Sequence, residues 1–359
     1  MSLLAGVGLC ACASATPGTP AASAAPAASA APAASAAPAA LAASAAVAQP
    51  SASAQTKQLP SPPAAPPQEL EADCAAARVP RVRDAIERDV RFFADPALDG
   101  RAPASAGDET TRAAIAQRLA CLGLAPAADD GGYQQAFTVP SGATANVLGV
   151  LAGQDPEVGQ EIVLVMAHHD HLGAGHLGAN DNASGLAAML AVAKAAAASG
   201  PRKRTLAFVA FGAEEQGLLG SAHYLAQPPA ALPLGRTVQV VNLDMIGSYS
   251  SRRRVYVFGA HAGQRATALL RELDDAYPRT RFALGGHSVR GDHHGFHALG
   301  IPYAFFWTPD GRCYHRRCDT AARVDYAPLA DIAALASALV LRLADEPPSV
   351  TAPAPAAGG

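Results

Sequence analysis

Residues Glu161–Gly173, EIVLVMAHHDHLG, place six apolar residues, Ile162 to Ala167, directly before His168, His169, Asp170 and His171. An unbroken apolar run of this length, with no polar alternation, reads as a strand buried on both faces, as in parallel sheets covered by helices on each side. The polar cluster stands at the carboxyl end of that strand, where open α/β sheets place their sites.

The pattern recurs on either side. NVLGVLA (146–152), TLAFVAF (205–211), VQVVNL (238–243), VYVFG (255–259) and PYAFFW (302–307) read as further strands. Apolar residues at helical spacing mark 82–94, 108–122, 181–198, 262–277 and 326–344 as helices. The alternation predicts an α/β fold with a mixed, largely parallel central sheet and helices on both faces, the first two helices forming an N-terminal cover.

The ends of the 359-residue chain differ from its middle. Every Asp, Glu, Lys and Arg except Lys57 lies between Glu69 and Glu346. The expected organisation is a lipoprotein signal over 1–12, a disordered Ala/Pro/Ser tether over 13–68, one domain over 69–346 and a disordered tail over 347–359. The opening MSLLAGVGLCACASATPG reads as a secretory leader, and Leu9-Cys10-Ala11-Cys12 is similar to a bacterial lipobox, with Cys12 the lipidated residue. AASAAP then repeats three times in tandem from Ala21 to Pro38. Such a segment has too few large apolar side chains to offset chain entropy, and recurring proline interrupts helix. Export to the cell envelope, periplasmic or extracellular, is the expected location.

Four cysteines fall inside the charged region, and an even number behind an export signal favours disulfides. Cys74 with Cys121, and Cys313 with Cys318, is the expected pairing. The mean hydropathy of +0.12 reflects alanine, because no run of about 20 bulky apolar residues occurs. With net charge −3, and basic clusters only at Arg202-Lys203-Arg204 and Arg252-Arg253-Arg254, nucleic acid is not an expected partner.

Each strand delivers polar residues to the same rim. His168 and Asp170 follow EIVLVMA, Glu214 and Glu215 follow TLAFVAF, Asp244 follows VQVVNL, and His315 and Asp319 follow PYAFFW after a short loop. Asp181 is expected to open the next helix. Imidazoles and carboxylates together suit zinc. His168, Asp181, Glu215, Asp244 and His315 give enough donors for two zinc ions sharing one carboxylate, and Glu214 is then the spare carboxylate able to act as general base. Asp170 is positioned to hold the His168 imidazole from behind, with Asp319 doing the same below His315.

AHHDHLG, GANDNASG, GAEEQGLLGS, NLDMIG and YHRRCDT, in that order, resemble the five metal-site motifs of the two-zinc aminopeptidases, the zinc exopeptidase family of aminopeptidase Y and bacterial leucyl aminopeptidases. The resemblance covers roughly 92–343, including LDGRAPASAGDETT near its start. It implies that His168 and Asp244 hold one zinc, Glu215 and His315 the other, that Asp181 bridges and that Glu214 is the base. It implies a zinc-dependent aminopeptidase, working through a metal-activated water on peptides with a free N-terminus; a monomer is a separate expectation that the sequence itself does not decide. Asn180 stands where the family commonly has Asp. His169, His171 and His176 are read as pocket lining or solvated loop. GDHHGFHALGIP resembles the family's loop and helix beside the substrate pocket, with Asp292 and His293 at recurring positions; Met245, Phe296 and Tyr314 are further candidates for that pocket.

Ser184 lacks the strand-to-helix elbow of a serine nucleophile. The rival readings are a glutaminyl cyclase with one zinc, a carboxypeptidase using Arg290, Arg312, Arg316 or Arg317, and a non-catalytic peptidase-like binding protein. The complete ligand set argues against the first and the last.

Overall fold

A computed structural model of the protein describes Cys74, residues 81–260 and residues 264–346. The expected leader, Cys12, the tether and the tail lie outside the described residues, as does the expected helix start at Ala262.

Among the described residues, nine strands form one sheet: β1 Ala125–Pro126, β2 Gln134–Val139, β3 Gly142–Leu151, β4 Ile162–His168, β5 Thr205–Phe211, β6 Thr237–Leu243, β7 Val255–Phe258, β8 Phe282–Leu284 and β9 Tyr303–Trp307. They lie in the order β1-β3-β5-β4-β6-β9-β7-β8, with β2 pairing β3 off this path. The central neighbours β5, β4, β6 and β9 run parallel. The pairs β3 with β5 and β7 with β9 are antiparallel, which makes the sheet mixed.

The helices are α1 Val82–Phe93, α2 Ala106–Cys121, α3 Gly185–Ala198, α4 Leu219–Ala226, α5 Arg265–Leu273, α6 His293–Ala298 and α7 Tyr326–Asp345. Side chains alternate across the central strands with period two. Val163, Val165 and Ala167 of β4, with Leu206, Phe208 and Ala210 of β5, pack against α1, α2, α3, α5 and α7. Ile162, Leu164 and Met166, with Ala207, Val209 and Phe211, face the other way onto Tyr224 of α4 and Phe296 of α6. Burial on both faces is why β4 and β5 carry no polar alternation. Helix α7 is long and apolar enough by composition to cross a membrane, but Leu329, Ile332, Leu335 and Leu339 sit in the core against the sheet.

Both expected disulfides are present. Cys74–Cys121 fastens the residue ahead of α1 to the end of α2, and Cys313–Cys318 closes the loop after β9. One expectation is corrected. Asp181 does not open a helix; Ala179–Ser184 form an irregular turn in which Asp181 and Asn182 leave helical geometry, and α3 begins at Gly185. The Asn182 side chain explains the departure: its Oδ1 accepts from the N–H groups of Gly185 and Met245 (2.9 and 3.1 Å) and its Nδ2 donates to Leu243 O (3.1 Å). These bonds compete with helix and fasten the turn to the end of β6.

Candidate metal centre and active site

The carboxyl ends of the four parallel strands meet at one rim. His168 is the last residue of β4, Asp244 directly follows β6, and Glu214 and Glu215 follow β5 by a turn that places Ala213 at φ 56°. His315 comes from the disulfide-closed loop after β9 and itself adopts φ 54°. A positive φ is costly for residues with a Cβ, so the surrounding structure must hold both.

Two donor groups share Asp181. His168 Nε2 lies 3.3 Å from Asp181 Oδ1 and 3.4 Å from Asp244 Oδ1. His315 Nε2 lies 3.3 Å from Asp181 Oδ2 and 2.9 Å from Glu215 Oε2. One donor atom each from His168, Asp181 and Asp244 fall within 4.8 Å of one another, and so do those of His171, Asp181 and Glu215. Asp181 Oδ2 and Asp244 Oδ1 are buried without a hydrogen-bond partner among the described residues. Orphaned buried carboxylate oxygens facing imidazole nitrogens are what a divalent cation satisfies, and the mixed N/O set fits a borderline metal.

The electrostatics follow from this crowding. Hydrogen bonds to Asp181 and Glu215 push the His315 imidazole up to about 10. Burial would lower His168, but Glu214, Asp170, Asp181 and Asp244 outweigh it and raise that imidazole well above its ordinary value. Glu214 is driven the other way: burial, then Asp292, Asp244 and Asp170, push its carboxyl up to about 9 against the opposing His168. Burial likewise lifts Asp292 to about 7.

The supporting carboxylates act differently from expectation. Asp170 stands 3.7 Å from His168 Nδ1, beyond hydrogen-bond reach, and that nitrogen is buried without a hydrogen-bond partner among the described residues. Asp170 instead accepts the backbone N–H of Glu214 (3.0 Å) and of Glu215 (3.2 Å), setting the turn that presents both glutamates. Asp319 accepts the N–H groups of Asn180 (2.8 Å) and Asp181 (3.0 Å) and so fixes the shared carboxylate.

Of the pocket candidates, Asp292 is buried with Oδ1 unpartnered, and Gly291 before it approaches Asp244 Oδ2. His293 is buried, stacked between Tyr303 and Phe305 and bonded to Ser288 O. Met245 is nearly buried beside Asp244. Tyr314 is 45% exposed and stacks on the His315 ring with centroids 3.8 Å apart. Phe296 is corrected: fully buried, with its ring against Phe211 and Tyr224, it belongs to the core rather than to a pocket. Ser184 is also buried and donates to Asn180 O.

Three features were not read from the sequence. His169 is buried and bonded to Asp108 of α2 (3.0 Å), and His171 is buried with Nδ1 2.6 Å from Glu215 Oε1, so neither lines a solvated loop. Arg101 is fully buried and donates to His169 O (2.7 Å), Leu177 O (2.8 Å), Gly178 O (3.0 Å) and Phe93 O, binding the loop that carries His168 to the one that carries Asp181. Gly100 comes close enough that a Cβ would fall 2.1 Å from His176 O. The LDGR run, polar and glycine-containing in an otherwise helical region, is the signal that such a contact leaves in sequence.

A parallel-sheet rim bearing two carboxylate-sharing donor groups is the arrangement of a metal-dependent hydrolase. The chain belongs to peptidase family M28, whose model matches residues 146–340. It is 38% identical over 156 residues to aminopeptidase YwaD of Bacillus subtilis (strain 168), covering 41% of this chain and 32% of that protein. The structure of BSAP, a zinc aminopeptidase from Bacillus subtilis, aligns at a TM-score of 0.52 and 28% identity over 59% of this chain and 53% of that chain. The Porphyromonas gingivalis glutaminyl cyclase shares the fold, at a TM-score of 0.59 and 17% identity, over 72% of this chain and 97% of that chain. The chain therefore spans about a third of the curated relative's length and about half of the zinc aminopeptidase.

Proposed function

We propose that the protein is a zinc-dependent aminopeptidase. The observation that carries this reading is the sharing of Asp181 between two imidazole-and-carboxylate groups, with a spare carboxylate, Glu214, beside them. His168, Asp244 and Asp181 would hold one zinc, and Asp181, Glu215 and His315 a second. Zinc, when bound, supplies Lewis acidity and brings water's pKa toward neutrality.

The protein's own groups do the rest. Glu214 takes the proton of the attacking water and returns it to the leaving amine nitrogen. Its raised pKa suits it to hold that proton between the two steps, and positive charge beside it favours the ionised form needed for the first. Asp292, lifted to about 7, is ionised in part near neutral pH, and that charge favours a cationic α-amino group, limiting cleavage to the free N-terminus. Tyr314 at the mouth and Met245 beside Asp244 favour an apolar first side chain.

Around this site we place the domain at 69–346, acting as a monomer. An export signal and lipid anchor at Cys12 complete the reading, with the two disulfides in keeping with an oxidising compartment. The glutaminyl cyclase reading gains only the shared fold, and both it and a carboxypeptidase are separated by one comparison. Purified protein is offered a leucyl arylamide, an amino-blocked peptide and a glutaminyl peptide, each with and without chelator. The expected result is release of the first residue from the arylamide, abolished by chelator and restored by zinc, with the blocked peptide untouched and the glutaminyl peptide not cyclised. Cyclisation of the glutaminyl peptide, or release of the last residue of the blocked peptide, overturns the proposal.

A further inference from the structure

We infer that His171 is a ligand of the metal held by Glu215, so that this cation takes two imidazoles, His171 and His315, while the other takes only His168. The inference rests on the metal-binding reading above and adds a residue to it. His171 and His315 flank one carboxylate, His171 Nδ1 on Glu215 Oε1 at 2.6 Å and His315 Nε2 on Glu215 Oε2 at 2.9 Å. The two rings meet edge to face with centroids 5.8 Å apart. Zinc–nitrogen bonds of about 2.0–2.1 Å put two imidazole centres on one ion roughly 5–6 Å apart, and the observed separation falls in that range.

The donor atoms of His171, Asp181 and Glu215 already lie within 4.8 Å of one another. The His171 ring is also fixed: it is fully buried, and Gly178 packs so closely on it that a Cβ there would fall 2.6 Å from Cγ. Gly178 is held in turn by Arg101. A buried imidazole locked in this orientation keeps Nδ1 on Glu215, the carboxylate that would hold the metal, without further ordering.

The two sites then differ in chemistry. One offers a single nitrogen and two carboxylates; the other offers two nitrogens and two carboxylates, which strengthens its preference for zinc or cobalt over manganese or magnesium. The test is the count of imidazoles on the metals. Each coordinated histidine keeps one ring N–H, which gives a strongly shifted, exchangeable proton resonance when cobalt(II) replaces zinc.

The dicobalt protein should show three such resonances, and His171→Asn two. In parallel, His171→Asn should lose one of its two zinc ions to a competing chelator at least tenfold more readily than the unaltered protein. Two resonances in the unaltered protein, with two metals bound, would mean that His171 only hydrogen-bonds Glu215, and would overturn this inference alone. Failure to bind two metals at all, measured by elemental analysis on the same samples, would instead overturn the proposed function. The count on the unaltered protein stands even where the variant fails to fold.

Discussion

Glu214 and Glu215 are chain neighbours with opposite surroundings. Burial would raise Glu215, but its bonds to His171 and His315 hold it below the ordinary glutamate value. Glu214 makes no such bond and is pushed up to about 9. This contrast supports the proposed division, metal binding at Glu215 and proton transfer at Glu214. Glu214→Gln keeps the shape and removes the base, so kcat should fall by about 100- to 10,000-fold with zinc content and KM little changed. Glu215→Gln should lose a zinc ion. Steady-state kinetics with metal analysis on both variants checks the division. His293 offers a separate test. Burial lowers it to about 4 from 6.5, so between those values the unfolded chain binds a proton that the folded protein refuses. Stability from this residue is therefore full above pH 6.5 and lost as pH falls through the window, by up to about 1.4 kcal/mol per pH unit. His293→Gln, measured by urea unfolding, should show a correspondingly flatter dependence.

At the scale of elements, the strands that carry the site were legible because burial on both faces leaves an uninterrupted apolar run, as in β4 and β5. Strand β2, with mixed burial in QQAFTV, and α4, only eight residues long, leave no comparable pattern. The turn at Asp181 reads as helix in sequence because its actual geometry comes from Asn182 bonding residues some 60 positions away. For the same reason, Arg101 gave only the faint LDGR signal. Arg101→Met strands four carbonyls and should destabilise the protein by at least about 3 kcal/mol in denaturant titrations, while weakening zinc retention. The Cys313–Cys318 loop carries His315 and is followed directly by Asp319, and Cys318 is exposed. Reduction should loosen the ligand and the anchor of Asp181 together, raising the rate at which chelator removes zinc; an unchanged rate in reduced protein argues against that coupling.

For the whole molecule, the sheet works as a platform: helices pack on its two faces, and the polar residues of the site collect at the carboxyl rim of β5, β4, β6 and β9. The five motif-bearing donors could be listed from sequence because strand ends fix which residues share that rim. Phe296 could not be separated from the pocket, since an aromatic residue in a short helix beside the site reads alike whether it faces the core or the cleft. The buried imidazoles His169 and His171 were likewise indistinguishable from solvated ones until their partners, Asp108 and Glu215, came from distant elements. The most direct test of the account is zinc titration of chelator-stripped protein, followed by calorimetry and by leucyl arylamide hydrolysis in the same samples. The account predicts two ions bound per chain and activity that returns with them. One tight ion, or none, would contradict the shared-carboxylate centre on which the whole reading depends.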